Sequence, residues 1–172
     1  LVAACLGTAA EGLTTKAEQA VNRPTSAELQ LLQGKWEGFL LGDQARIRRI
    51  FSLLQGEAPR GIVYPQNYFL IPHFANSWLA NKAMGTKWCA RLGISPVPQG
   101  YFDFPVGTMF WARGEALRPL FDAGITLEDF DPENGQTDGT FAHCLERLLV
   151  LVSRRQGFAG AIIKDQENPA WS

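Results

Sequence analysis

Apolar positions recur along the chain with two periods, and each period predicts a different kind of element. Beginning at Ser26, a capping hydroxyl, Leu29, Leu32, Trp36, Phe39 and Leu40 return every three or four residues, the spacing of one helix face. Gly42 ends that helix and Asp43 caps the next, where Ile47, Ile50, Phe51 and Leu54 form the buried stripe and Arg46, Arg48 and Arg49 cover the rest. Residues 62–64, Ile, Val and Tyr between the turn around Pro59 and Pro65, predict a short strand. A third helix starts at Asn76 or Ser77 and reaches Leu92, with Trp78, Met84, Trp88 and Leu92 as its apolar members and Gly93 as its stop. Residues 107–112 read as a buried central strand, and 115–122 as a brief helix in which Pro119 is an awkward guest outside the first turn. The clearest element is the final helix, about 139–155, whose Phe141, Leu145, Leu148, Leu149 and Val152 make one stripe. Gly157 stops it, and 160–163 form a last strand; the opening run 1–6 is either a strand or the remnant of a helix.

Helices interleaved with short strands predict an α/β or α+β fold, a single layered domain. Residues 1–24, rich in Ala, Gly and Thr, read as an N-terminal segment or the edge of a larger domain; 25–164 are the domain and 165–172 a polar tail. Leu1 is not a Met, so the numbering starts after processing or part-way into a longer protein. At 172 residues, 46% apolar and 19% charged, the chain can bury a core and is not of the disordered class. A net charge of -1 supplies no bulk attraction to nucleic acid, so no nucleic-acid partner is expected. Cys5, Cys89 and Cys144 are widely spaced, without a CxxC pair, which favours a reducing compartment over a disulfide framework. No apolar run approaches the roughly 20 residues of a transmembrane helix, so no transmembrane segment is expected.

Candidate chemistry gathers between Phe104 and Arg147. Asp138 stands at the mouth of the final helix, where it serves either as a cap or as a general base on a rigid mount. His143 and Glu146, three apart, share a helix face beside the apolar stripe and can bind a metal or a hydroxyl; the plain reading is a solvated pair. Arg147 adds a cation whose plain role is a salt bridge with Glu146. Gly107 and Thr108 invite a ligand to lie against the backbone, and Trp111 offers the kind of face on which sugars stack; both also fit a core. Lys16 and the arginines at 46, 48 and 49 can meet phosphates or simply keep a surface soluble. P-loop, GxGxxG, HExxH and GxSxG motifs are absent, as is an Asp-x-Asp pair after a strand, although Asp129-Phe130-Asp131 has that spacing in a late acidic loop.

The run Phe104-Pro105-Val106-Gly107-Thr108-Met109-Phe110-Trp111-Ala112-Arg113 with Ala116-Leu117, then Asp129-Phe130, then Gly135 to Thr140 leading into Ala142-His143 and Glu146-Arg147, resembles the C-terminal part of the rhamnan synthesis F family. The similarity covers most of 13–160. The resemblance implies a glycosyltransferase-like fold and transfer of a deoxyhexose such as rhamnose from a nucleotide-sugar donor to a glycan acceptor of the bacterial cell envelope. It also implies a divalent metal, Mn or Mg, a cytoplasmic location at the inner membrane face, and other polysaccharide-assembly proteins as partners. On this reading Asp138, His143 and Glu146 are catalytic, with His143 a metal ligand, and Lys16, Gly107, Thr108, Trp111, Arg113 and Arg147 bind substrate. Two departures accompany it: the family's usual His-Thr-Lys is here Thr14-Thr15-Lys16, and larger members carry upstream sequence. The alternative is a non-catalytic carbohydrate-binding or assembly module descended from such an enzyme.

Overall fold

The structure, a computed structural model, describes residues 2–5, 40, 44–58, 60–66, 73–132, 134–136 and 138–164. Lys16, the helix expected from Ser26 apart from Leu40, and the capping Asp43 lie outside them. Four strands form one mixed sheet: β1 (Val2–Cys5), β2 (Arg60–Pro65), β3 (Met109–Ala112) and β4 (Ala159–Ile163), in the order β1-β3-β2-β4. Within the opening apolar run, Val2–Cys5 is thus a strand. β3 is antiparallel to β1 and β2, and β4 is parallel to β2. β1, β2 and β4 therefore end at the edge of the sheet where β3 begins.

Side chains alternate across the strands, so neighbouring residues serve opposite layers. Val63 and Trp111 meet Ile50, Leu53 and Leu54 of helix α1 (Gln44–Gln55), with Ala161 and Ile163 beside them. Ile62, Tyr64, Phe110 and Ala112 face the larger core with helices α2 (Lys82–Arg91), α3 (Gly114–Asp122) and α4 (Phe141–Arg155). A sheet covered on both faces by helices is an α/β layered architecture, which explains why β2 carries a continuous apolar run without polar alternation.

Several expected boundaries move, each for a physical reason. The third helix begins at Lys82 after a 3-10 turn, Leu79–Asn81, because Trp78 is drawn into the core instead of entering the helix. Its indole lies over Gly85, where any Cβ would run into the ring, and its Nε1–H donates to the Pro98 carbonyl at 2.8 Å. Gly93 stops α2 with φ of 66°. The central strand begins at Met109, since Gly107 and Thr108 form a 3-10 turn ahead of it. Pro119 sits inside α3, outside the first turn, where it removes one backbone donor. The final helix starts at Phe141, capped by Thr140 and not by Asp138. Its expected single stripe is an understatement: Cys144 and every residue from Glu146 to Ser153 are buried, as suits a helix central to its layer.

Candidate functional site

Arg147 organises the site from one turn inside α4. Its Nη2 pairs with Asp138 Oδ1 at 2.9 Å, with side-chain exposures of 5% and 16%. Its Nε donates to the Ser77 carbonyl at 2.7 Å and its Nη1 to the His143 carbonyl at 2.8 Å. The guanidinium lies 4.9 Å from the centroid of Phe104, so each of its three nitrogens has a partner and one face meets a ring. A buried arginine satisfied in this way ties three chain segments together.

Asp138 reaches away from α4 towards the Leu79–Asn81 turn. Its Oδ2 accepts the Ala80 N–H at 2.8 Å, and its Oδ1 accepts Asn81 Nδ2 at 2.6 Å. Gly139, with φ of 87°, lets the chain double back; a Cβ there would stand 3.4 Å from that of Ala80. Thr140 then caps α4, its Oγ1 lying 3.5 Å from the His143 N–H and 2.6 Å from His143 Nδ1. The capping alternative for Asp138 thus falls to Thr140, and Asp138 becomes a clasp between distant segments. A carboxylate has about four lone-pair sites. The Arg147, Asn81 and Ala80 donors occupy three of them, leaving capacity on Oδ2.

Glu146 is buried, which corrects its reading as part of a solvated pair with His143. Its Oε1 accepts the Thr108 N–H at 3.0 Å and lies 3.4 Å from Thr108 Oγ1. Desolvation pushes its carboxyl up to about 7, against the opposing pull of Arg147 and of the Gly107 and Thr108 N–H groups. The turn it holds is strained: Gly107 has φ of 76° and Thr108, a β-branched residue, φ of 56°. The carboxylate of α4 therefore pins the turn that feeds β3, at the edge where the other strands end.

Arg147 is bonded to Asp138 and to the His143 carbonyl, and Glu146, its neighbour on α4, to Thr108 beside Gly107; Trp111 and Arg113 are elsewhere. Trp111 packs on the opposite sheet face, 5.5 Å from the Phe51 ring, and its Nε1–H donates to the Leu40 carbonyl at 3.1 Å. Arg113 opens α3 at the far end of β3, its guanidinium 5.7 Å from the Phe158 ring. The salt bridge expected of Arg147 is formed with Asp138. Asp129 and Asp131 are both helix caps: Asp129 accepts the Thr126 N–H at 2.8 Å and Asp131 the Phe141 N–H at 2.7 Å. Among the described residues no group of three or more His, Cys, Asp or Glu is arranged to hold a metal ion, so these residues alone do not fit one.

One segment escaped the sequence reading. Phe74, Leu79 and Tyr101 are exposed, and their segments are joined by the Phe102 N–H to the Asn76 carbonyl at 2.8 Å. Leu79 has φ of 45°; with Thr108 it is one of two non-glycine residues of positive φ among the described residues. Both precede or carry an N–H given to a site carboxylate, Ala80 to Asp138 and Thr108 to Glu146. Only the backbone reveals this strain.

The model of the family described as rhamnan synthesis protein F matches residues 39–158, well over half of the chain. This chain belongs to that family. Both segments of the site, 104–113 and 138–147, fall inside the match. Two curated relatives, each bearing the name "Uncharacterized protein WxcX" and coming from two strains of Xanthomonas campestris pv. campestris, are 35% identical over 118 residues. The alignment covers 69% of this chain and 16% of each relative, so the chain spans about a sixth of their length. No solved structure matches at a significant level. The family's description names rhamnan synthesis, and no helix among the chain's described residues is long and apolar enough to cross a membrane.

Proposed function

We propose that this chain carries the sugar site of a glycosyltransferase that extends a rhamnose-containing polysaccharide from a nucleotide-sugar donor. The observation that carries the reading is the joining, around the start of α4, of Asp138 and Glu146 to two strained turns, of which the Thr108 turn lies at the carboxyl edge of β1, β2 and β4. Ligands of open α/β sheets bind at such edges, and strain gathers where a site needs fixed geometry. Asp138 Oδ2 takes the proton of the acceptor hydroxyl as its oxygen attacks the anomeric carbon and the nucleoside diphosphate departs. His143, its ring anchored on Thr140, orients that hydroxyl. Glu146 is a positioning residue that holds Gly107 and Thr108 against the substrate.

A second reading is favoured by a specific observation. Each nitrogen of Arg147, the arginine at the site, is bonded within the protein, and the chain spans 16% of its relatives. A carbohydrate-binding module that leaves donor binding to other sequence would look the same. Calorimetric titration with dTDP, dTDP-rhamnose and a rhamnose oligosaccharide separates the two. Binding of the nucleotides supports transfer by this chain, binding of the oligosaccharide alone supports the module, and binding of neither overturns both.

A further inference from the structure

The turn Val106–Thr108 is held shut against two opposing tendencies. Thr108, β-branched at φ of 56°, regains an ordinary backbone conformation only if the turn moves. Glu146, bonded to that turn and 8% exposed, regains water only if something above it moves, and Thr108 is the half-buried residue it is bonded to. The link between them is a shared donor: the Thr108 N–H lies 3.0 Å from Glu146 Oε1 and 3.0 Å from the Pro105 carbonyl, so the turn keeps a backbone acceptor of its own. Around the carboxyl, α4 supplies Arg147, His143 and Cys144, and the segment before α4 supplies Asp138, which matches the Arg147 charge. The turn presents only N–H and hydroxyl donors. Burial outweighs the cation and these donors, so the carboxyl stands at about 7 instead of 4.5.

We propose that the turn Val106–Thr108 is a gate over Glu146, which opens locally when the carboxyl ionises and presents it to solvent at the carboxyl edge of β1, β2 and β4. The inference stands whichever ligand the site takes. Closed, Glu146 keeps its proton up to about pH 7; open and hydrated, it loses the proton from about 4.5. Between those values each opening releases one proton, so the open fraction grows by up to about tenfold per pH unit. Above 7 both forms are ionised and the open fraction levels off. Relief of the strain at Thr108 acts in the same direction at every pH. The closed form remains the resting state, and the open form is a minor population whose size the proton sets.

Hydrogen exchange of the whole chain tests the gate, read amide by amide by NMR from pH 4 to 8 and divided by the intrinsic rate at each pH. The Thr108 amide should exchange faster than that of Val150, a 0% exposed residue of α4 that reports opening of the entire fold. Low urea should speed Val150 and leave Thr108 unchanged, because a local opening exposes little surface. Protection of Thr108 should fall by up to about tenfold per pH unit from 4.5 towards 7 and then level. Glu146→Gln cannot ionise and should show one level of protection throughout. Thr108 exchange that tracks Val150 in rate and urea dependence means that only the whole molecule opens, and it overturns the gate. Parent protection that is independent of pH, or a pH dependence that persists in the folded variant, overturns it equally. If the variant does not fold, the Thr108 and Val150 profiles of the parent decide the matter alone.

Discussion

Removing the charge of Asp138 leaves the Arg147 guanidinium buried without its counter-ion. Breaking one partner of such a pair costs about 3–5 kcal/mol, because the remaining charge stays desolvated. Asp138→Asn is therefore expected to lower the urea midpoint strongly, and loss of sugar binding in that variant reports the clasp as well as any proton transfer. An unchanged midpoint would show that the pair carries no such weight. Glu146 acts in the opposite sense. It holds its proton more tightly folded than unfolded, its carboxyl being raised to about 7 from 4.5. Its stabilising contribution is therefore full below pH 4.5, declines as pH rises, and is gone above about 7, a change on the order of 3 kcal/mol. Glu146→Gln keeps an oxygen for the Thr108 N–H and cannot ionise. Denaturation of both proteins from pH 4 to 8 should show the variant gaining on the parent across that window; parallel profiles would refute the buried, late-titrating carboxyl. The sequence made Asp138, His143 and Glu146 legible as a cluster by proximity alone. Their partners were not legible, because Ala80, Asn81 and Thr108 approach only when distant segments fold together.

At the scale of elements, periodicity read well wherever an apolar stripe faces a layer. α1 and α4 lie close to where their stripes placed them, and 160–163 falls within β4. It failed where one side chain takes a special seat. Trp78 looks like a helical stripe residue, yet its ring occupies the space above Gly85 and the helix starts after it. Gly85→Ala makes this measurable. Helix propensity alone favours alanine by about 1 kcal/mol, while forcing a Cβ into a packed ring costs about 1–3 kcal/mol. The clash should win because the ring is held by its Pro98 bond and the core. A thermal midpoint below the parent's is expected, and a rise would show that the indole can step aside. Glycine also hid a boundary at 107, where a residue that reads as the first of a strand is a turn of positive φ.

Over the whole molecule, the two-sided sheet sets which candidates can cooperate. Trp111 and Phe110 are neighbours in sequence and lie on opposite faces, so Trp111 belongs with α1, away from the Arg147 cluster. Binding at the proposed site also has a global readout: a ligand that binds only the folded chain raises its stability by RT ln(1 + [L]/Kd), about 2.7 kcal/mol at a hundredfold excess over Kd. The nucleotide and oligosaccharide titrations should therefore appear as midpoint shifts of the same ranking. What the sequence by itself determined is local: helix stripes, strand runs, turn residues, and the motifs that place the chain in its family, since each depends on neighbours a few positions away. What only the tertiary structure decided is who meets whom. The Arg147 to Asp138 clasp, the burial of Glu146, the removal of Trp111 from the site and the strain at Leu79 and Thr108 arise from contacts between distant segments. Chain order carries no trace of them, because the free energy that holds each one is supplied by the rest of the packed core.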